Sequence, residues 1–305
     1  MSPTVVLDAL LAAGVLVTAV VALWHRDRAA SVTVFLGFGV LLTALWARLG
    51  APDVALAEAA LAAGVTGALM ATVVAGRTRR ATPVPRSHRA VDVAEGALAV
   101  GIGVALTAVA TGAMRSAAPA PTGDAATGAL PESVVAHPVT AVLLDFRTYD
   151  TMLEIVVLTV AALAAVSTLR DAAPALAVPV DRRPVLTVAV AVLTPVLVVL
   201  AAWLLVAGSD RPGGAFQSGA VVTGIVLLTV LTGTVRLPSA RTTRLLLAVG
   251  SAVFLVVALA TALTTGWLTL ENPWGGTAVV ALEAVLAVSI GVCLAVLALA
   301  GSTRA

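Results

Sequence analysis

The stretch VLTVAVAVLTPVLVVLAAWLLVA, residues 185–207, decides the fold because it contains no charged side chain. A transmembrane helix needs about 20 consecutive, mostly apolar residues, within a range of roughly 17–25. The charges lie outside this run, with Arg182 and Arg183 before it and Asp210 and Arg211 after it. The run therefore predicts a helix that crosses a membrane.

Eight further apolar runs predict helices of the same kind on both sides of this one. They lie near 4–24, 30–47, 54–75, 93–114, 150–169, 217–235, 245–266 and 277–300. The composition agrees, since 60% of the residues are hydrophobic and only 11% are charged, whereas a soluble domain averages about 25% charged residues. We predict an all-α, polytopic membrane protein of about nine spans.

The arginines predict the orientation, because short cytoplasmic loops are enriched in basic residues. All 18 basic residues are arginine, and alternate loops divide them 14 to 4. The poorer set is Arg48, Arg115, Arg147 and Arg211. We therefore expect the N-terminus outside, the C-terminus inside and a location in the plasma membrane.

Two segments between the fourth and fifth predicted spans have a different character. Residues 115–136 are rich in Ala, Pro, Gly and Thr, which indicates a flexible outer loop. In the following segment, apolar residues from Val135 to Phe146 recur at helical spacing. This pattern predicts a short amphipathic helix on the outer membrane surface.

Most of the 16 acidic residues lie in loops or at helix ends. Three glutamates lie deeper inside predicted spans, and they are the first candidates for an ion or proton path: Glu58, Glu154 and Glu283. Each is four to six residues into a helix that enters from the outside, or about 6–9 Å deep at 1.5 Å per residue. An acid at that depth is costly unless it is paired or hydrated, so it indicates a functional site.

Structural interpretations compete for some of the acids. Residues Thr151 to Glu154 have the spacing of a helix-capping box, and Asp150 is another candidate cap. Asp53 follows Pro52 at a predicted helix start and is better explained as an N-cap than as a ligand.

Cofactor and metal chemistry find no support in the sequence. Cys293 is the single cysteine, and the three histidines, His25, His88 and His137, lie in different loops or helix ends. Isolated histidines of this kind are more often surface residues than metal ligands. We predict no cofactor, no metal and no enzymatic activity.

Three motifs resemble those of Mrp-type sodium/proton antiporters. The segment PGGAF, residues 212–216, resembles the P-G-G-G-F signature of the B-type component of these antiporters, although Ser209 stands where that motif has His. The segment APDVALAE, residues 51–58, resembles the MbhD-like region at the C-terminus of their A-type component. The segment DFRTYDTMLE, residues 145–154, resembles the neighbouring MbhE-like region.

The resemblance implies three regions in one chain. These are a three-helix MbhD-like region at 1–80, a two-helix MbhE-like region with its outer loop and surface helix at 81–175, and a four-helix B-type region at 176–305. It also implies an ion or proton path through Glu58 and Glu154, and Asp53 and Asp150 of the same motifs are included in it. Glu283 is added because of its depth in the predicted span. The B-type motif comprises Gly208, Pro212, Gly213, Gly214, Phe216 and Gly219.

The function implied is that of a membrane subunit of a multi-subunit monovalent cation/proton antiporter. The chain has no lysine, so the expected partners include a large lysine-containing antiporter-like subunit, with sodium or another monovalent cation and protons as the transported ions. Two alternatives remain open. One is a purely structural scaffold, and the other is a subunit of a membrane-bound hydrogenase or complex I-like assembly.

Overall fold

The computed structural model describes residues 3–25, 27–66, 121–169, 184–235 and 238–302, together with 100, 101, 103–105, 107–109, 111, 112 and 115. The ordered elements in these ranges are helices, and none of the described residues forms a strand. This confirms the all-α prediction. The chain divides into two compact units, Met1–Arg77 with Leu130–Ala305, and Thr78–Ala129.

The larger unit contains nine labelled helices. They are α1 (Pro3–Trp24), α2 (Arg28–Arg48), α3 (Pro52–Glu58), α5 (Pro138–Ala141), α6 (Thr148–Leu169), α7 (Pro184–Ala207), α8 (Ala215–Leu231), α9 (Ala240–Ala262) and α10 (Gly275–Ser302). Two of them continue as wider π-helical turns, α3 through Ala59–Thr66 and α5 through Val142–Phe146. In the smaller unit, α4 spans Pro121–Ala129, and the described residues between 100 and 115 are also helical.

Among the described residues, six helices are long and apolar enough to cross a membrane, and each coincides with a predicted span. They are Thr4–Trp24, Ala30–Arg48, Thr148–Ser167, Pro184–Ala207, Ala240–Ala262 and Gly275–Ala300. The predicted span at 217–235 corresponds to α8, which is shorter at 17 residues. Much of the two remaining predicted spans, 54–75 and 93–114, lies outside the described residues.

Helix α10 is the centre of the larger unit. In the most apolar stretch of α10, 56% of the residues are buried, whereas the corresponding share is 6% in α1 and 6% in α2. It packs against α8 along most of the length of α8, and also against α6 and α9. The fully buried side chains at these contacts include Ile155, Phe254, Leu286 and Ile290. The face that α10 turns to its neighbours is therefore the apolar core.

The segment predicted as a surface helix contributes to this core. A helix does begin at Pro138, but Ala141 and Leu144 are buried in the same cluster as Leu286. Only part of it is exposed, as at Phe146. The structure therefore confirms a helix in this segment and packs one of its faces into the core, while its location on the membrane surface stays a prediction. The expected flexible loop is also partly helical, at α4 and at Leu130–Glu132.

Helices α8 and α10 approach closely because glycines lie at their contact. A Cβ added at Gly219 would lie 2.8 Å from Ile290 Cγ2, and one added at Gly291 would lie 2.8 Å from Val222 Cβ. Thr223 Oγ1 crosses the same contact and donates to the carbonyl oxygen of Gly291 at 3.1 Å. Small residues at such contacts let helix backbones approach in lipid, where van der Waals packing drives association.

Gly219→Val should destabilise the chain, because its branched side chain has no room against Ile290. Overpacking of this kind costs about 1–3 kcal/mol. The thermal unfolding midpoint of the purified chain in detergent, followed by tryptophan fluorescence, should fall. Gly224→Val is the matched control on the same helix, since no atom of the described residues lies within 4 Å of a Cβ added there. Equal midpoints for the two variants would contradict the contact.

Candidate functional site

The turn between α7 and α8, residues 208–214, folds back over the end of α7. The carbonyl oxygen of Leu204 accepts from the backbone N–H groups of both Gly208 (3.2 Å) and Gly214 (2.8 Å). A Cβ at Gly208 would lie 2.6 Å from the Cα of Gly214, and Gly214 itself has a φ of 107°. Only glycine satisfies both constraints, which explains these positions of the B-type motif.

Asp53 binds this turn through its side chain. Its carboxylate is buried, with 8% of the residue exposed. Oδ1 accepts the backbone N–H of Gly213 at 3.1 Å, and Oδ2 lies 3.0 Å from Nε2 of His137. The N-cap position of α3 is Ala51, and no side chain caps that helix. The prediction that Asp53 is an N-cap is therefore wrong, since its carboxylate joins segments distant in the chain.

His137 is a member of the site that the sequence interpretation missed. It is 9% exposed, so the expectation of a surface histidine is wrong. An ionised carboxylate only accepts hydrogen bonds, so Nε2 carries the hydrogen that reaches Asp53. One signal was available in the sequence: an imidazole stands among apolar residues at 134–142, and a buried polar group needs a partner.

Backbone contacts attach the segment around His137 to the same turn. The N–H groups of Ala136 and His137 both donate to the carbonyl oxygen of Ser209 at 3.0 Å. Thr140 Oγ1 donates to the carbonyl oxygen of Gly208 at 2.5 Å. Ser209 stands where the resembled motif has a histidine, and here an imidazole reaches this turn from another part of the chain.

Gln217 is a second residue that the sequence interpretation missed. It lies in the first turn of α8, is buried, and its Nε2 donates to the main-chain oxygen of Asp53 at 3.2 Å. Asp53 is thus held through both its side chain and its backbone. Nothing in the local sequence distinguishes this glutamine, because its partner lies 164 positions away.

Glu283 reaches the start of α8 from α10. Gly214, at the N-cap position of α8, has no side chain with which to cap the helix. Glu283 Oε1 accepts the N–H of Ala215 at 3.1 Å and satisfies one of the free donors of the first turn. Its other oxygen, Oε2, is buried and has no hydrogen-bond partner within the described part of the chain.

A cavity of about 50 Å³ lies beside this carboxyl group. Its polar lining comes from Thr140, Thr151, Gln217 and Glu283, together with the backbone of the turn. Its apolar lining includes the half-buried Phe216 of the B-type motif. The structure therefore gathers Asp53, the motif and Glu283 around one turn, and Pro212 is half-buried within that turn.

Glu58, at the end of α3, is half-buried against α2. A Cβ added at Gly39 would lie 3.7 Å from Glu58 Oε1, so the carboxylate lies next to α2 at a position where that helix has no side chain. It has no ion-pair partner among the residues that the structure describes.

Glu154 and Asp150 lie outside the cluster around the turn. Helix α6 already begins at Thr148, and Thr151 Oγ1 donates to the carbonyl oxygen of Leu143 at 2.6 Å. The capping-box interpretation is therefore wrong. Glu154 is exposed on α6, while Asp150 forms an ion pair with Arg147 across the first turn.

Comparison with known families identifies three regions along the chain. Residues 13–79 match the family MbhD and residues 87–183 match the family MbhE, which are two different subunits of MBH. Residues 185–302 match a domain related to the MnhB subunit of a Na+/H+ antiporter. No curated protein matches the chain.

A solved structure, titled as that of the Mrp complex from Dietzia sp. DQ12-45-1b, contains a chain of the same fold. The TM-score is 0.77 at 23% sequence identity, over 96% of this chain and 34% of the solved chain. The chain thus spans about a third of the length of the chain it matches. At this identity the likeness shows a shared fold only, and the evidence for the families comes from the three family matches. The chain carries, in one polypeptide and in this order, an MbhD domain, an MbhE domain and a domain related to the MnhB subunit of a Na+/H+ antiporter.

Proposed function

We propose that the chain is a membrane subunit of a multi-subunit monovalent cation/proton antiporter, to which it contributes carboxylates on the ion or proton path and contacts with other subunits. The observation that carries this proposal is the succession of MbhD, MbhE and MnhB-related domains in one chain, whose fold matches a chain of an Mrp complex over 96% of its length. The six apolar helices support a membrane location, and we assign the plasma membrane.

Nine spans are the arrangement we propose for the whole chain, with the N-terminus outside and the C-terminus inside. Six long apolar helices support it, and α8 at 17 residues lies at the short end of the range that spans a bilayer. The domain boundaries we propose are 1–80, 81–175 and 176–305. The family matches at 13–79, 87–183 and 185–302 support them.

The acids of the proposed path lie in different surroundings. Glu58 is half-buried without a counter-charge among the described residues, and Glu283 is buried beside a cavity. Glu154 is exposed on α6 next to Val157, which is 67% exposed. A carboxylate that faced lipid there would cost several kcal/mol. We therefore infer that another subunit, or water held by one, lies against this face of α6. Asp53 and Asp150 hold their own segments in position.

A partner with lysine in the membrane completes this proposal. A buried lysine amine shifts its pKa readily and can therefore take up and release a proton, and the 305 residues contain no lysine. We propose that this partner is a large lysine-containing antiporter-like subunit, and that sodium or another monovalent cation is the exchanged ion.

Two observations favour second candidates. Asp53 and Glu283 make structural hydrogen bonds at the turn, as a scaffold would require. Two of the three matched families are MBH subunits, which favours a membrane-bound hydrogenase or complex I-like assembly. Co-purification of hydrogenase subunits with the tagged chain would support the hydrogenase or complex I-like assembly. Co-purification of antiporter-like subunits alone would support the antiporter.

The orientation is tested by single cysteines in a Cys293→Ser background. Cysteines at Ser87 and Thr242 should be protected from a membrane-impermeant thiol reagent added to intact cells, because arginine-rich loops stay cytoplasmic. Cysteines at Thr122 and Asn272 should react. Labelling at Ser87 from outside would reverse the proposed orientation.

The path is tested by Glu58→Gln and Glu154→Gln in the assembled complex. Each substitution keeps the size of the side chain but removes the charge and the titration. Cation-dependent proton movement in vesicles should fall at least about tenfold, which corresponds to about 1.4 kcal/mol of barrier.

Glu271→Gln is the matched control, because Glu271 is an exposed acid in the connection between α9 and α10. It should leave transport unchanged, and gel analysis should show the same amount of assembled complex for all three variants. Normal transport by both path variants, at normal complex levels, would replace the proposed path by the scaffold.

A further inference from the structure

Two buried side-chain oxygens lack a hydrogen-bond partner in the described part of the chain, and both lie at the turn between α7 and α8. They are Ser209 Oγ, within the turn, and Glu283 Oε2, beneath it. Buried polar atoms are almost always hydrogen-bonded, so an orphan calls for an explanation such as bound water. Glu283 is 3% exposed and lines the cavity described above, whereas Ser209 does not line it.

The geometry leaves one oxygen of Glu283 free for a ligand. Oε1 is fixed by the N–H of Ala215 at 3.1 Å, and this contact anchors the carboxyl group at the start of α8. Oε2 is left without a partner among the described residues, and Glu283 is one of the residues that line the cavity. A second hydrogen bond from the protein would have made the carboxylate a purely structural cap.

The cavity has the size and the lining that water requires. A water molecule needs roughly 10–15 Å³ of such space and two to four polar partners, so about 50 Å³ has room for a few waters. The hydroxyl hydrogens of Thr140 and Thr151 are already donated to the carbonyl oxygens of Gly208 and Leu143. Their oxygen lone pairs remain available to accept hydrogen bonds from water.

Fixed charge does not neutralise this carboxyl group from within the cavity. Among the described residues that line the cavity, Glu283 is the one titratable residue and none is basic. Across the turn, Asp53 and His137 are paired with each other, and Glu58 lies on α3, which also packs against α8. A proton is the cation that such a site can take up without further ligands.

We propose that this cavity is a water-filled proton-binding site, in which Glu283 Oε2 takes up a proton from a cavity water and returns it to one. An O–H bond forms at Oε2 as a protonated water gives up its proton, and the reverse step restores the carboxylate. Thr140 and Thr151 position the waters. Proton binding stands on the geometry alone, while its use in transport rests on the proposed function.

The test is infrared difference spectroscopy of the full chain in lipid nanodiscs, between acid and alkaline buffer. The wild-type chain should gain a carboxyl C=O band at acid pH that Glu283→Gln loses and that Glu271→Gln, at an exposed acid, retains. The same band should shift when the buffer is changed to D2O, because the cavity waters exchange. A spectrum that Glu283→Gln leaves unchanged, or a band that does not shift in D2O, would overturn the proposal.

A second variant keeps the test decisive if Glu283→Gln fails to fold after losing the cap. Leu286→Phe enlarges a fully buried side chain that lines the cavity and retains the glutamate. It should slow the D2O shift of the band, whereas Leu255→Phe, at an exposed position on α9, should not. Equal rates in these two variants would contradict the water-filled cavity.

The nature of the ligand is tested by adding sodium chloride at constant pH, with choline chloride as the ionic-strength control. The C=O band should be the same in both salts. Loss of the band in sodium alone would show that the site binds the metal ion and would overturn proton binding. These measurements need no partner protein. A negative result would therefore overturn proton binding by this chain, whereas the proposed function is tested separately by the antiport of the assembled complex.

Discussion

The buried carboxylate of Asp53 is the contact on which the arrangement of the larger unit depends. It accepts the N–H of Gly213 and a hydrogen bond from the His137 imidazole, while its main-chain oxygen accepts from Gln217. Removing an ionised carboxylate from water is expensive unless its oxygens are hydrogen-bonded. Asp53 lies in the first matched domain, His137 in the second, and Gly213 with Gln217 in the third. Satisfying one charge therefore requires all three domains to meet.

The position of the turn between α7 and α8 also determines the surroundings of Glu283. Glycines let the turn fold back over α7, but they leave the start of α8 without a side-chain cap. Glu283, on α10, accepts one hydrogen bond from that start, and its second oxygen has no hydrogen-bond partner among the described residues. Close packing of α8 on α10 through Gly219 holds the two helices at the distance that this contact needs. The structural role of the turn and the lack of a protein partner at the second carboxyl oxygen thus have one origin.

Hydropathy and motif spacing predicted the helical fold and several members of the site, because both act within a short stretch of chain. The apolar runs at 4–24 and 277–300 correspond closely to α1 and α10. Helix α8 is shorter than predicted, since the chain turns at Gly233, which has a φ of 69°. The glycines of the turn were identified from the motif, and the structure gives their steric reason.

Pairings over long sequence distances could not be predicted in this way. His137 and Asp53 are 84 positions apart, and Gln217 and Asp53 are 164 apart. Local rules assigned Asp53 to a helix cap and His137 to the surface, because capping and exposure are the commonest local solutions. Tertiary hydrogen bonding overrode both. The exposure of Glu154 on α6 likewise depends on what surrounds the assembled chain, which no local pattern records.

The most direct test of this account is a double-mutant cycle on the thermal unfolding of the full chain, with Asp53→Asn, His137→Gln and the double variant. If the carboxylate and the imidazole stabilise each other, the two substitutions should be non-additive, with a coupling free energy of about 1–3 kcal/mol. The exposed ion pair between Arg48 and Asp8 supplies the comparison cycle, and there the coupling should stay below about 1 kcal/mol. Additive effects at Asp53 and His137, within about 0.5 kcal/mol, would contradict the claim that this contact holds the three domains together.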